Sequence, residues 1–272
     1  MTGANSVEAH ARAIRAHIVR MAHAGRTPHV ASALSCADLV AALYFEVLRI
    51  DPARPEAEER DRFILSKGHG CMAQYAALAE RGFFHEKVLD EYGREGGRLA
   101  EHPAPRCVPG IEAATGSLGH GLSLGAGLAL AAKIRGRSHR IFVLLSDAEC
   151  MEGSVWEAAL FARARGLDNL VAIVDYNKLS AMSPTRPYLE PLVEKWRAFG
   201  WSCVEIDGHD AGAIVGALLR VPFEPSRPSA VVAHTIKGKG VSFMENDLEW
   251  HYRPPNDNDL KRALEEIQGP RK

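Results

Sequence analysis

The chain has 272 residues, 46% apolar and 25% charged, with a formal net charge of −1. That suits a buried core and one large α/β domain over 1–272. With no long block of one sign, no run near eighteen apolar residues and no apolar stretch at the start, nothing recommends a nucleic acid, a membrane or a secretory leader.

In chain order, residues 7–23 set apolar and basic positions at helical spacing. Asp38 to Leu48 is a second helix, apolar on most of its surface and so buried. DPARPEAEERDR at 51–62 is a charged loop. Phe63-Ile64-Leu65 is a short strand that meets Ser66-Lys67-Gly68-His69-Gly70 and then the helix MAQYAALAERG. Glu101 to Ile111, with three prolines, is an irregular surface loop. Gly116-Ser117-Leu118-Gly119-His120-Gly121 opens the small-residue helix LSLGAGLALAAKI. The strand Ile141 to Leu145 leads into Ser146-Asp147-Ala148-Glu149. A helix follows over VWEAALFARARGL, by the spacing of Val155, Ala159, Phe161 and Ala162. The strand Leu170 to Val174 leads into Asp175-Tyr176-Asn177, and 181–191 is a proline-containing loop. Trp201 to Ile206 and Ala230 to His234 are further strands, with a helix near 211–220 and the loop PFEPSRPS between them. Residues 258–267 form a terminal amphipathic helix capped by Asn258 or Asp257. Strand and helix alternate, so the expected fold is a mainly parallel sheet with helices on both faces. The five cysteines (36, 71, 107, 150, 203) are odd in number and lack a C-x-x-C pair, which reads as reduced packing residues in a cytoplasmic protein.

Asp147 and Asn177 stand thirty residues apart, each just beyond an apolar run. In a strand-helix-strand unit both emerge at the carboxyl ends of neighbouring strands, where open α/β sheets bind ligands. A carboxylate and an amide oxygen converging there suit Mg²⁺ or Ca²⁺, and such a cation usually holds a phosphate. The turn at 116–121 offers backbone N–H groups to a phosphate, or is a tight packing turn. Lys237 and Lys239 offer point charges to a phosphate, or lie in a solvated loop.

Taken together, these segments resemble the transketolase family from about Ala22 to Tyr252. The Asp147–Asn177 pair is similar to the thiamine-diphosphate fingerprint, with Ser146 and Ala148 where the family has glycines. Residues 141–179 match almost position by position. The resemblance implies a thiamine-diphosphate-binding fold, with the metal on Asp147, Asn177 and Leu179. It puts His69, Gly116, Ser117, Leu118, Asp147, Ala148, Glu149, Asn177, Lys237 and His251 on the cofactor. His29 and Ser32, in Thr-Pro-His-Val-Ala-Ser, match a histidine motif in which the proline normally follows. With His102 and His251 they would contact substrate. His29, His69, His102 and His251 would shuttle protons, and Glu152 would link two active sites across a subunit interface. A cation bound to a diphosphate prefers oxygen, so Cys150 is not expected among the ligands.

The implied reaction is transfer of a two-carbon ketol unit from a ketose, or ketose phosphate, to an aldose. The family also uses a second α/β domain for the aminopyrimidine, so the resemblance implies an α₂β₂ assembly with a separate C-terminal subunit. Two other readings stay open on the residues: membership of a 2-oxoacid-decarboxylating ketose synthase, and a non-catalytic paralogue.

Overall fold

The computed structural model describes residues 3–269. At its centre is a sheet of five strands: β1 (Arg62–Leu65), β2 (Ile141–Ser146), β3 (Leu170–Tyr176), β4 (Ser202–Asp207) and β5 (Ser229–His234), ordered β1-β2-β3-β5-β4. Every pairing is parallel, with Phe63 opposite Phe142, Val143 opposite Ala172, and Ile173 opposite Val231. Successive side chains on a strand point to opposite faces. Phe142 and Leu144 thus enter one apolar core with Phe63, Ile173 and Val231, while Ile141, Val143 and Leu145 enter another with Ile64, Ala172 and Val232. Burial on both faces is why these strands read as continuous apolar runs rather than alternating ones.

Helices cover both faces. On the first lie α1 (Gly3–Gly25), α2 (Val30–Ser35), α3 (Ala37–Ala42) and α4 (Cys71–Glu80). On the second lie α5 (Gly121–Ile134) and α6 (Gly153–Ala164), which pack on each other. Next come α7 (Arg186–Leu189), α8 (Leu192–Ala198) and α9 (Ala211–Leu219). The last, α10 (Asp257–Gln268), returns to pack on α1.

Several expected boundaries change. The helix expected over Asp38 to Leu48 is α3 followed by a wider π turn at Leu43–Val47, and Cys36 separates it from α2. The cap of α10 is Asn256, not Asn258 or Asp257. Its side-chain oxygen accepts from the N–H groups of Asn258 and Asp259, and Asp259 closes the reciprocal bond to the Asn256 N–H. The loop expected at 181–191 contains α7, and α8 follows it. These helices are four and seven residues long, too short to show a helical period. All five cysteines are free. Among the described residues, no helix is long and apolar enough to cross a membrane.

Candidate active site

Because the strands are parallel, the segments after β1, β2, β3 and β5 arrive at one edge of the sheet. There they meet the start of α2 and the segment around His251 at a cavity of about 270 Å³. The four expected histidines line it together. Ring centroids lie 5.4 Å apart for His29 and His69, 6.2 Å for His29 and His102, and 4.8 Å for His29 and His251. His29 occupies the left-handed region at φ 71° and donates its backbone N–H to the His251 carbonyl at 2.9 Å. That bond fastens the two histidine segments together. The His29 Nδ1 is buried with no protein partner.

Burial, with the nearby His102 and Lys237, brings His29 down to about 4. Burial and then Lys237 bring His251 down to about 3. Burial, followed by the Lys67 charge, also holds His69 well below the usual histidine range. Near neutral pH these three imidazoles are neutral and can each donate to one partner and accept from another.

Two charges here lack an opposite charge in contact. Lys237, 1% exposed, donates to the Ser180 carbonyl at 2.7 Å and reaches the Leu179 carbonyl at 3.4 Å and His251 Nδ1 at 3.1 Å. It has no carboxylate partner among the described residues. Burial, then repulsion from Lys67, lowers its ammonium to about 8. Asp147, fully buried, is held only by neutral donors: Ala148 N–H at 2.7 Å, Lys178 N–H at 2.7 Å and the Thr185 hydroxyl at 2.8 Å. Burial raises its carboxyl to about 6, against the pull of the Thr185 bond. An unpaired buried cation and an unpaired buried anion beside one cavity are costly to folding unless they serve a ligand.

Gly116 sits at φ +144°, and a methyl group there would come within 2.7 Å of the His102 ring. The absence of that methyl lets the 116–121 turn pass beneath the histidine. Ser32, Leu118, Ala148, Asn177 and Leu179 also line the cavity. The Asn177 side-chain oxygen accepts from the Leu179 N–H at 3.1 Å, retaining one lone pair.

Four expected residues lie outside the lining, and Asp147 is one of them, buried behind Ser146 and Ala148, which do line the cavity. Glu149 is buried beside the cavity, but one carboxylate oxygen accepts from the Ser66 hydroxyl and, at 2.8 Å, from Gly119 N–H. The other takes Ser146 N–H at 3.2 Å. It ties the 116–121 turn to the end of β2 instead of facing the cavity. Ser117 is exposed and outside the lining. Glu152 is exposed at the N-cap of α6, also outside it.

Beneath the cavity lies a network not expected from the sequence. Lys67 and Asp175, both fully buried, pair at 2.5 Å. Lys67 also donates to the Ser32 carbonyl at 2.8 Å, while Asp175 accepts from Ser35 at 2.5 Å and from Thr235. Burial acts against both charges, but mutual attraction outweighs it and holds Asp175 below, and Lys67 above, its usual range. The pair joins α2, β3 and the segment after β5 under the histidines. A signal was present: Asp175 interrupts an apolar run at a position whose neighbours are buried on both faces. Tyr252, at the cavity mouth beside His251, was likewise not expected there.

A family model described as transketolase, thiamine diphosphate binding domain, matches residues 5–269. The chain belongs to the transketolase family. This transketolase-family chain is 39% identical over 255 residues to one subunit of the apulose-4-phosphate transketolase of Phocaeicola vulgatus, covering 93% of this chain and 90% of that protein. It is 44% identical over 242 residues to a 6-deoxy-6-sulfo-D-fructose transketolase subunit of a Clostridium species, covering 88% of each. Among solved structures, the transketolase from Leishmania mexicana superposes with a TM-score of 0.90 at 29% identity. That match covers 97% of this chain and 41% of the other. The chain thus spans about two fifths of that transketolase and about nine tenths of the two relatives named as transketolase subunits.

Proposed function

We propose that this chain, acting as a single domain, is the diphosphate-binding subunit of a two-chain transketolase that moves a two-carbon ketol unit from a ketose or ketose phosphate to an aldose. The observation that carries the reading is the cavity itself. Four histidines and an unpaired buried lysine line it where parallel strands end, and an unpaired buried aspartate lies just behind its Ala148. The relatives of matching length are named as transketolase subunits, which supports a partner chain for the rest of the site. So does the apolar surface of Leu124, Leu128 and Ile134 on α5 and Leu160 and Phe161 on α6, each at least 38% exposed. An α₂β₂ assembly with a pyrimidine-binding C-terminal subunit follows from that reading, with Glu152 at the interface. The five free cysteines suit a reducing, cytoplasmic setting.

The residues fit thiamine diphosphate with a divalent cation. Asp147, the Asn177 amide oxygen and the Leu179 carbonyl are hard oxygen donors suited to Mg²⁺ or Ca²⁺. Lys237 and His69, with the backbone of the 116–118 turn and Ala148, would hold the diphosphate, and His251 stands beside Lys237. When bound, the cofactor supplies the nucleophilic carbon and electron sink that let a bond beside a carbonyl break. The chain's residues then orient the sugar. Neutral His29 and His251, together with His102, accept from and donate to its hydroxyls, with Ser32 alongside. An imidazole at each position can take up or return a proton as carbonyl and alkoxide interchange.

The test is reconstitution. The chain with its C-terminal partner, thiamine diphosphate and Mg²⁺ should transfer a ketol unit from a ketose phosphate to an aldose, releasing the shortened aldose and no CO₂, and the chain alone should not. Robust turnover by the isolated chain overturns the two-subunit reading. A product formed only by decarboxylative synthesis from a 2-oxoacid overturns ketol transfer.

A further inference from the structure

The segment carrying Lys237 is held from behind by side chains outside the cavity. Asp38 of α3 is the hub. Arg15 of α1 clasps it with both terminal nitrogens, at 3.1 and 2.5 Å, and sends its Nε to the Lys239 carbonyl at 3.0 Å. On the other side His209, between β4 and α9, places its Nδ1 2.7 Å from Asp38 Oδ2 and its Nε2 2.8 Å from the Ile236 nitrogen. The Ile236 N–H can only donate, so Nε2 must carry the lone pair. The single ring proton then sits on Nδ1 and points at Asp38. The His209 ring therefore reads a carboxylate with one nitrogen and a backbone N–H with the other, and only the neutral ring in this tautomer does both. Arg15, Asp38 and His209 are all nearly buried, with side-chain exposures of 9, 11 and 13%. The other charged or titratable groups facing the ring are Asp207, whose carboxylate accepts the His209 N–H, and Lys178, Glu205, His234 and Lys239 around the adjoining hollow.

We propose that His209 is a positioning residue for diphosphate recognition: it fixes Ile236 and thereby sets the Lys237 ammonium at the cavity. The inference rests on the reading of Lys237 as a phosphate contact. The geometry makes the link short. Ile236 directly precedes Lys237, and the same segment is pinned on its far side by Gly238 N–H to the Ala31 carbonyl at 2.9 Å. Without the His209 bond, Thr235 stays tied to Tyr176 and Asp175 and Gly238 to Ala31, but the Ile236 N–H between them loses its partner and the stretch that carries Lys237 is held less firmly. The lysine then samples positions off the cavity and binds a diphosphate with a larger ordering cost.

The experiment is a double-mutant cycle on the chain paired with its C-terminal subunit, reading thiamine diphosphate affinity by titration in the presence of Mg²⁺. His209→Phe keeps a planar ring but neither hydrogen bond, and should weaken binding about tenfold, the scale of one lost hydrogen bond. His209→Gln, whose amide can donate to Asp38 and accept from Ile236, should stay within about threefold of the parent. In a Lys237→Ala background His209→Phe should add nothing, because the residue it positions is gone. An equal loss in both backgrounds, or full affinity in His209→Phe, overturns the proposal. Hydrogen exchange over 235–240 separates this from failure of the functional reading, since it needs no cofactor. Exchange should quicken in His209→Phe and be restored in His209→Gln, and parental protection in the phenylalanine variant also overturns the positioning role. If the paired parent binds no thiamine diphosphate while the exchange pattern holds, the functional reading fails and the loop anchor stands.

Discussion

Two fully buried aspartates stand at opposite ends of the same sheet, and they are treated in opposite ways. Asp61, just before β1, receives the guanidinium groups of Arg49 at 2.8 Å and Arg140 at 2.6 Å, plus both residues' backbone N–H groups at 3.0 and 2.8 Å. Burial alone would raise its carboxyl, but those bonds outweigh it and hold the group below its usual range. Asp147, just after β2, receives only neutral donors and rises to about 6. One carboxylate closes the amino end of the strands and is answered in full. The other leaves its charge unanswered beside a cavity. Burial does not distinguish a structural acid from a functional one; the charge of its partners does.

The largest effect should come from a third buried acid, which lies between these extremes. Asp175→Asn strands the Lys67 charge at the centre of the fold and should cost about 3–5 kcal/mol in denaturant unfolding. Replacing both members, Lys67→Met with Asp175→Asn, should recover part of that loss. The two end aspartates should then exchange phenotypes. Asp61→Asn should lower unfolding free energy by about 2–3 kcal/mol, since two charged hydrogen-bond partners lose their counter-charge, and leave cofactor affinity unchanged. Asp147→Asn should cost less, about 1 kcal/mol, because losing an unpaired buried charge offsets part of the cost of the one N–H that the amide nitrogen cannot serve, while Mg²⁺-dependent thiamine diphosphate affinity falls about a hundredfold or more. If both variants lose stability alike and bind alike, the distinction between the two ends is wrong.

A smaller effect follows from the histidines. Their pKa values in the fold, about 4 for His29 and about 3 for His251, lie below the ordinary 6.5, so the unfolded chain binds protons more readily. Stability should be full above about pH 6.5 and decline as pH falls toward 4. Urea titrations at pH 7 and pH 5 measure the slope, which His251→Gln should flatten. Smallest of all is Ala148→Gly. Neither Ser146 nor Ala148 has a positive φ. The glycine therefore relieves no strain, and it should cost up to about 1 kcal/mol, with cofactor affinity near that of the parent by calorimetric titration.

Much of this was legible in the sequence because it repeats along the chain. Apolar runs at 63–65, 141–145, 170–174 and 230–234 are strands, and the polar residues after them reach one edge because parallel strands allow no other arrangement. That logic places Asp147 and Asn177, while the roles of His69 and Lys237 come from the family resemblance. What escaped depends on contacts distant in sequence. Lys67 is 108 positions from Asp175, and no local pattern pairs them. Glu149 lies within the motif, yet its direction is set by Ser66 and Gly119, which arrive from other elements. His209 shows no role until Asp38, 171 positions away, and Ile236 are seen on either side of its ring.

The bond from the His29 backbone to the His251 carbonyl also has a consequence for how the protein is made. The two walls it joins are 222 residues apart in the chain, so the ribosome produces one long before the other. The sheet's first three strands can assemble while the pocket still lacks its lysine and its fourth histidine. Only when the stretch through His251 has emerged can α10 settle on α1, where His23 meets Asp257 at 2.7 Å, and close the ring. Cofactor capture is therefore a late event in synthesis, and a nascent chain arrested before that point should have a partly built sheet and no grip on thiamine diphosphate.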